Sequence, residues 1–225
     1  DGKKVVFIED YSPNLLEIKD ILLERSNKII VKTSPILDIT DTIRKLEHVT
    51  EVHIVAIKNE VKEVLYILNK SISQTIYKTV NFISAQKKQT LEFNEHELHN
   101  SISEFSLPLK YIYEPNSCIM KSGAFNFISS NFKINKLHQN SHLYTSDILI
   151  NDFPGRVFWL NNIHKYNKKE LNPYSKANIA TRNFPHSVSE IRKKTKIKDG
   201  GNIYLFGTTD INNKTVILGC EKIEN

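Results

Sequence analysis

Residues 52–68 read Val-His-Ile-Val-Ala-Ile-Lys-Asn-Glu-Val-Lys-Glu-Val-Leu-Tyr-Ile-Leu, and they decide the fold class of the first part of the chain. Val52–Ile57 and Val64–Leu68 are rich in β-branched residues, which predicts two strands. Asn59, in the polar segment between them, is typical of a tight turn. The stretch therefore predicts an antiparallel pair of the kind that often closes an open α/β sheet.

Alternating helices and strands are predicted upstream of this pair. Apolar residues at helical spacing predict a helix that Ser12 caps and that runs from Pro13 to Arg25. The other elements predicted here are strands at Val5–Ile8 and Ile29–Val31 and a helix at Ile39–Leu46. This order predicts one half of a sheet in an α/β fold.

The pattern changes near residue 71, where short antiparallel strands dominate. Thr75–Ser84 and Gln89–Phe93 are predicted to pair, and Leu109–Tyr113 is a further strand. Asn116 is a suitable N-cap for a helix over Ser117–Ser130. Small strands with a helix on one face predict a compact α+β domain that ends near residue 153.

The last third of the chain has the pattern of another α+β module. Ser187 and Glu190 form a capping box that begins a helix ending near Lys194. A turn at residues 210–213 is expected between the last two strands. The strands predicted around the helix are Val157–Leu160, Ala177–Thr181, Ile203–Gly207 and Val216–Cys220.

Positive charge is concentrated in this last third. The net charge is +6, and residues 154–225 hold thirteen Lys and Arg against six Asp and Glu. Residues 1–153 hold eighteen against nineteen. Such asymmetry is typical of a region that meets a polyanion, although a solvated basic face without a partner gives the same pattern.

Other compositional features exclude several protein classes. The sequence has no apolar run long enough to span a bilayer and no signal peptide, so we expect a soluble, cytoplasmic protein with no membrane contact. Cys118 and Cys220 lack metal-binding or disulfide spacing, so we expect packed thiols and no metal site. Because residue 1 is Asp1 and the only methionine is Met120, we expect a processed or truncated chain.

Five separated stretches resemble one protein family. They are Lys32–Asp38 (KTSPILD), Tyr113–Phe125 (YEPNSCIMKSGAF), Leu137–Tyr144 (LHQNSHLY), Lys176–Pro185 (KANIATRNFP) and Asp199–Thr208 (DGGNIYLFGT). In this order they closely resemble bacterial class I S-adenosylmethionine-dependent methyltransferases. Those proteins have a Rossmann-like methyltransferase domain, a ferredoxin-like domain and a C-terminal THUMP-like domain.

The resemblance covers nearly the whole chain and implies three regions. Residues 1–70 would be the C-terminal half of the Rossmann-like methyltransferase sheet, an α/β structure. Residues 71–153 would be the ferredoxin-like α+β domain, and residues 154–225 the THUMP-like α+β domain.

The resemblance also implies S-adenosylmethionine as the methyl donor of the intact protein. The family's glycine-rich donor loop and Asp-Pro motif have no counterpart here, and none of the seven glycines has Gly-x-Gly spacing in a strand-to-helix turn. We therefore expect this chain alone to be inactive and not to bind the donor tightly. The catalytic residues are not identified.

Two groups of residues before the last third are candidate site residues, the first for the border of the active site and the second for substrate binding. Lys32, Ser34, Pro35 and Asp38 follow a predicted strand, and the C-terminal ends of strands line the ligand crevice in open α/β sheets. Alternatively, Ser34 and Pro35 only turn the chain and Asp38 caps the next helix. The second group is Glu114, Asn116 and Lys121, at a helix N-terminus that suits a phosphate; a cap with a local ion pair is the simpler alternative.

Further candidates lie in the last third of the chain. The residues expected to contact nucleic-acid phosphates are Lys176, Arg182, Asn183, Arg192, Lys193, Lys194 and Lys196. Tyr174 or Phe184 is a candidate for stacking on a base. A basic surface over core aromatics remains the alternative. For His138, Asn140, Ser141 and His142, a structural hydrogen-bond network is favoured over a zinc site.

We expect the intact protein to methylate RNA, either tRNA or rRNA, with the basic module recognising the substrate. One alternative is a non-enzymatic nucleic-acid-binding or assembly fragment, and another is a methyltransferase for a non-RNA substrate. A half-sheet exposes an edge and apolar faces. We therefore expect residues 1–70 to self-associate or to be mobile.

Overall fold

The computed structural model describes residues 7–71 and 74–224. The helices within these ranges are α1 (Leu15–Arg25), α2 (Ile39–Leu46), α3 (Glu95–Asn100), α4 (Ser117–Ser122), α5 (Phe125–Phe132), α6 (Lys168–Leu171) and α7 (Val188–Thr195). A short 3-10 helix, Ile8–Asp10, precedes α1. None of the described helices has the length and apolarity needed to cross a membrane.

The strands of the described ranges form two sheets with mixed pairing. They are β1 (Lys28–Thr33), β2 (Val49–Ile57), β3 (Glu60–Asn69), β4 (Ile76–Phe82), β5 (Lys88–Asn94), β6 (Tyr111–Pro115), β7 (Asn135–Lys136), β8 (Tyr144–Ser146), β9 (Gly155–Lys165), β10 (Asn178–Arg182), β11 (Ile203–Thr209) and β12 (Thr215–Lys222). The chain divides into two compact units. The first unit is residues 1–100 with 116–124, and the second is residues 101–115 with 125–225.

The first unit is built on a five-stranded sheet with the order β1-β3-β2-β4-β5. β3 is antiparallel to both β1 and β2, whereas β4 is parallel to β2. The β2–β3 hairpin turns through Lys58 and Asn59, which both have positive φ, a region that Asn tolerates better than most residues. The predicted antiparallel pair and its turn at Asn59 are therefore confirmed.

The core of the first unit follows from strand alternation. Val52, Ile54 and Ala56 of β2 are fully buried, since every second side chain of a strand points to one face. α4 packs against β2, β3 and β4, and its Cys118 and Ile119 are buried as well. Each such apolar side chain contributes roughly 1–3 kcal/mol to stability. The short helix α4 is thus an integral part of the first unit.

The second unit is built on one seven-stranded sheet with the order β10-β11-β12-β9-β6-β8-β7. One hydrophobic cluster includes Phe158 and Leu218, and we call the sheet face that bears it the Phe158 face. The other cluster includes Ile217 with Leu171 of α6, and we call its sheet face the α6 face. The predicted helix with its Ser187 capping box is confirmed as α7.

Several expectations about the elements need correction. The strands β4 and β5, which the sequence placed in a middle domain, extend the first sheet instead. Strands predicted for the middle and last domains, such as β6 and β9, join one sheet, and the domain boundaries predicted near residues 70 and 153 stay a prediction. A local pattern shows that two strands form a hairpin, but it does not show which sheet the hairpin joins.

Two helix boundaries also differ. The single helix predicted over Ser117–Ser130 is wrong, because Gly123 has a φ of 73° and ends α4 in the left-handed conformation typical of helix C-termini. Asn14 caps α1, rather than Ser12. Of the strand predicted at Val5–Ile8, residues 5 and 6 lie outside the described residues, and Ile8 is in the 3-10 helix.

Candidate functional site

The loop after β1 holds the residues predicted to border an active site. The Asp38 carboxylate accepts a hydrogen bond of 2.7 Å from the backbone N–H of Asp41 and so caps α2. The backbone N–H of Ser34 donates to the Tyr11 hydroxyl at 3.0 Å. Asp38 and Ser34 therefore have the structural roles that the sequence left open as an alternative.

The other two residues of this group lie at the surface. Lys32 forms an exposed ion pair of 3.0 Å with Glu63 of β3. Exposed pairs of this kind contribute about 0–1 kcal/mol. Pro35 lies in the turn between β1 and α2. A place for Lys32 and Pro35 at the border of an active site stays a prediction.

Lys121 of α4 contacts the same loop. Its Nζ donates to the carbonyl oxygen of Leu37 at 2.7 Å. Burial lowers the pKa of the Lys121 amine, and the negative charge of the nearby Asp38 partly offsets this lowering. The structure thus brings together Lys121 and the loop after β1, which are 84 positions apart in the sequence.

The N-terminus of α4 is closed by side chains of the first unit. The Asn116 side-chain oxygen accepts from the backbone N–H groups of Cys118 and Ile119 at 3.0 and 3.1 Å. The side-chain oxygen of Asn59 accepts from the Ser117 N–H at 2.7 Å. The donors that would hold a phosphate are therefore satisfied within the protein, and the cap is the interpretation that the structure supports.

Glu114 of β6 is an ion-pair partner inside the second unit. Its side chain is only 5% exposed and lies between Arg156 of β9 and Arg182 of β10. Arg156 Nε donates to one carboxylate oxygen at 2.8 Å, and Arg182 Nη2 donates to the other at 2.7 Å. Two arginines share one carboxylate, so the cluster keeps one net positive charge. The sequence did not pair Glu114 with either arginine.

The histidine-rich segment forms a structural network. Ser141 Oγ donates to the carbonyl oxygen of Thr209 at 2.9 Å, and the His138 Nε2 atom lies 3.1 Å from the Asn213 side-chain oxygen. His142 stacks on Phe125 with ring centroids 3.7 Å apart. Among the described residues no group of three or more potential ligands could hold a metal ion.

The His142 imidazole is electrostatically unfavourable to protonate. Burial, with the positive charges of Lys136 and Arg182 nearby, lowers the pKa of His142 to about 4. Burial also lowers the pKa of the Lys136 amine, whose Nζ donates to the Gln139 carbonyl at 2.8 Å. The His142 ring is therefore neutral near pH 7.

Arg192 has a structural role that its place in a run of basic residues did not reveal. Its guanidinium donates to the carbonyl oxygens of Ile197 at 3.0 Å and Ala177 at 3.2 Å, and it pairs with Asp199. It therefore joins the end of α7 to the start of β10. Its donors are largely engaged by the protein itself.

Two more of the predicted contacts, Lys176 and Asn183, precede α7 in the chain. The Lys176 side chain runs along the Gly200–Gly201 turn and is exposed. Asn183 has a left-handed backbone with φ of 54°, and its side-chain amide lies 3.0 Å from His138 Nδ1. Lys176 is thus accessible to a ligand, whereas Asn183 is part of the histidine network.

The helices α6 and α7, which pack against each other, carry a group of exposed lysines. In the part of the chain that the structure describes, none of these amines lies within ion-pair distance of a carboxylate. We call this group the basic surface, and it consists of Lys168, Lys169, Lys193, Lys194 and Lys196. The sequence predicted Lys193 and Lys194 of α7 and its C-cap Lys196, but not the two lysines of α6.

The carboxylates of these two helices accept hydrogen bonds from backbone N–H groups. The Glu190 carboxylate accepts from the Ser187 N–H at 2.7 Å, and the Glu170 carboxylate accepts from the Lys165 N–H at 2.6 Å. These bonds are the largest cause of the lowered pKa of each carboxyl. Because both charges are held at helix starts, the lysine side chains remain available to an anionic partner.

An aromatic group adjoins the basic surface. The Lys194 Nζ lies 4.1 Å from the centroid of the Tyr166 ring, which packs edge-on against Phe184 with centroids 5.3 Å apart. Tyr174 is half-buried, and its hydroxyl lies 2.7 Å from His164 Nε2. Phe184 and Tyr174, both predicted to stack on a base, are thus partly used in packing. Tyr166 was missed, although it precedes the Lys168–Lys169 pair by only two residues.

The first sheet does not contain the elements of a donor site. The turns after β1 and β2 hold no glycine, and the described glycine nearest to them in the first unit is Gly123, at the end of α4. A nucleoside-type donor needs close backbone approach, which glycine provides. The described residues of the first sheet therefore do not fit S-adenosylmethionine.

Comparison with known proteins gives two family-model matches and one structural neighbour. Residues 111–154 match the family model of a ferredoxin-like domain, and residues 155–222 match that of a THUMP-like domain. The crystal structure of a putative methyltransferase from Porphyromonas gingivalis W83 is similar, with a TM-score of 0.92 and 34% sequence identity. The match covers 98% of this chain and 57% of that protein. Among curated protein sequences there is no match.

Proposed function

We propose that this chain is the C-terminal part of a class I S-adenosylmethionine-dependent methyltransferase that acts on RNA in the cytoplasm, and that the basic surface recognises the RNA. The structural neighbour supports the methyltransferase part, and the match to a THUMP-like domain supports RNA. The observation that carries the proposal is the basic surface itself. It presents exposed lysines of α6 and α7 that have no carboxylate partner among the described residues.

Charge distribution supports the same surface. The second unit contains sixteen Lys and Arg and ten Asp and Glu, while the first unit contains fifteen of each. The second unit therefore carries the whole net charge of the chain. A polyanion is attracted to such a unit over a distance of about one Debye length, roughly 8 Å at physiological salt.

The first unit supports a role beside the catalytic centre. The antiparallel β3 lies between the parallel strands β1 and β2, an arrangement that suits the closing half of a Rossmann-like methyltransferase sheet. In the intact protein, S-adenosylmethionine supplies the electrophilic methyl group. The part that this chain plays is to bind and orient the RNA. Lys121, beside the loop after β1, adds positive charge at the C-terminal edge of the sheet.

Binding of fluorescent tRNA and rRNA fragments, measured by anisotropy across a salt series, tests the proposal. Replacing Lys169, Lys193 and Lys194 with Ala is expected to weaken binding at least tenfold. It is also expected to lower the salt slope, which is the slope of log affinity against log salt concentration, by about two units, because each lost phosphate contact lowers this slope by about 0.7–0.9. All three side chains are exposed, and Ala is compatible with their helices.

The matched control replaces three exposed lysines of the first unit, Lys28, Lys62 and Lys88, with Ala. It removes the same charge, and we expect less than a twofold change in affinity. Equal weakening by both triple variants would indicate nonspecific attraction and contradict the basic surface as the site. Absence of binding by the unmodified chain at low salt would remove RNA as the proposed substrate.

A further inference from the structure

Trp159 is the only tryptophan of the chain, and it is 40% exposed although it lies within a sheet. Its strand, β9, is an internal strand that pairs with β12 on one side and β6 on the other. An indole contributes most to stability when it is buried, because its apolar area is large. A tryptophan left open in the middle of a sheet is therefore a candidate for binding rather than for folding.

Two neighbours hold the indole in place. Tyr111, opposite Trp159 on β6, is 9% exposed and packs edge-on against the indole with centroids 5.3 Å apart and an angle of 90°. Lys110 places its Nζ 4.7 Å from the centroid of the indole and 5.5 Å from that of the Tyr111 ring. The result is a partly exposed indole with the Lys110 ammonium over one of its ring faces. We call these three residues the Trp159 platform.

The Trp159 platform lies on the same side of the sheet as the basic surface. Trp159 is opposite Glu221 of β12. Glu221 is four residues beyond Ile217, which belongs to the α6 face, and side chains four residues apart on a strand share a face. Gly219, between them, faces Tyr174. A chain bound to α6 and α7 can therefore continue over Tyr174 toward Trp159 on one face.

We propose that an unpaired base of single-stranded RNA stacks on Trp159, with its phosphate toward Lys110. This inference rests on the proposed function and specifies its substrate as RNA with an accessible single-stranded segment. Every base has a π-face, so an exposed aromatic ring binds bases with little sequence preference. Lys110 supplies the charge that a phosphate requires.

The Glu221 carboxylate, on the other side of the Trp159 platform, determines the orientation of the bound nucleotide. Glu221 lies opposite Trp159 and accepts a hydrogen bond of 2.9 Å from the Asn161 amide. A phosphate is repelled from that side, whereas a carboxylate accepts hydrogen bonds from the N–H groups on base edges. The phosphate is thus directed to Lys110 and the edge of the base to Glu221. Bases in a duplex are stacked on one another and do not reach such a platform.

The test uses the emission of Trp159, which is free of contributions from other tryptophans. Titration of the whole chain with a short single-stranded RNA is expected to quench this emission. An RNA duplex and an abasic strand of equal charge are expected to leave it unchanged, although both still bind in the anisotropy assay. Quenching by the abasic strand equal to that by the RNA would overturn the proposal.

Two substitutions complete the experiment. Trp159→Ala is expected to weaken binding of single-stranded RNA about tenfold and of the duplex less than twofold, because base stacking on an aromatic side chain commonly contributes a factor of this size. The control is Ile163→Ala. Ile163 is an exposed apolar residue of the same strand, but it is opposite Leu218 and so lies on the Phe158 face. We expect no effect of this control on either RNA.

The outcomes separate this inference from the proposed function. Salt-dependent RNA binding that is insensitive to Trp159→Ala and does not quench the tryptophan would refute the Trp159 platform and leave the basic surface intact. Absence of RNA binding by the unmodified chain would refute both the Trp159 platform and the basic surface. Trp159→Phe retains a ring and is expected to restore much of the affinity, which a misfolded variant would not do.

Discussion

Arg192 and Lys193 are neighbours on α7, yet the structure gives them different tasks. Arg192 donates to two backbone carbonyls and pairs with Asp199, whereas Lys193 is exposed and belongs to the basic surface. A basic residue in a run of basic residues is easily counted as a ligand for phosphates. Only the contacts of each side chain separate the structural charge from the available one.

Replacement of each residue with Ala should show this difference. Arg192→Ala is expected to lower the free energy of unfolding by about 2 kcal/mol, since it leaves buried carbonyl groups without their charged donor. Lys193→Ala is expected to change stability by less than about 0.5 kcal/mol and to reduce the salt slope of RNA binding. Urea unfolding and the anisotropy assay measure the two effects. The same loss of stability in both variants would argue against a structural role specific to Arg192.

The sequence predicted individual residues well where the interaction is local. The cap at Asp38 and the turn at Asn59 depend on residues close along the chain, and both are present. The ion pairs of Glu114 join residues that are 42 and 68 positions apart. No local pattern indicates such partners, because they are set by the order of strands in the sheet.

At the scale of single elements, the capping box at the start of α7 stabilises the helix that carries part of the basic surface. Ser187 Oγ accepts from the Glu190 N–H, and Glu190 accepts from the Ser187 N–H, so the capping box is complete. Ser187→Ala is expected to cost about 1 kcal/mol and to weaken RNA binding slightly, as the first turn of α7 frays. Urea unfolding gives the first quantity and anisotropy the second.

The control for this variant is Ser187→Thr. Threonine keeps the hydroxyl that caps α7 and that donates to the Glu190 carboxylate, so stability should be largely retained. A loss of stability as large in Ser187→Thr as in Ser187→Ala would contradict a capping role of the hydroxyl.

The positions of helices and strands along the chain were more predictable than the pairing of these elements in space. Ile39–Leu46 and the hairpin of β11 and β12 were found from periodicity and turn residues alone. The break at Gly123 was missed because a glycine inside an apolar helical pattern does not by itself show that the chain turns there. The placement of β4 beside β2 was missed because parallel pairing joins segments that no tight turn connects.

At the scale of the whole molecule, the free edge of the first sheet is expected to cause self-association. Among the strands of residues 7–71 and 74–224, β1 lies at an edge of the sheet, and its Ile30 is 61% exposed. An apolar residue on an open edge favours pairing with a second copy. We predict that the apparent mass in light scattering rises with concentration and that Ile30→Lys abolishes the rise.

Ile148→Lys is the matched control for this experiment. Ile148 is more exposed than Ile30, at 74%, but it lies outside any strand. We expect this variant to associate like the unmodified chain. A mass that corresponds to a monomer at all concentrations would contradict association through β1.

The first unit takes residues 116–124 from the middle of the second, and this has a consequence for synthesis on the ribosome. The sheet of the first unit is complete once residue 94 has emerged, but α4, which covers it with Cys118 and Ile119, arrives about thirty residues later. Until then the nascent chain holds an uncovered apolar sheet face, a target for chaperones. We therefore expect slower translation between these two points to lower the yield of native protein.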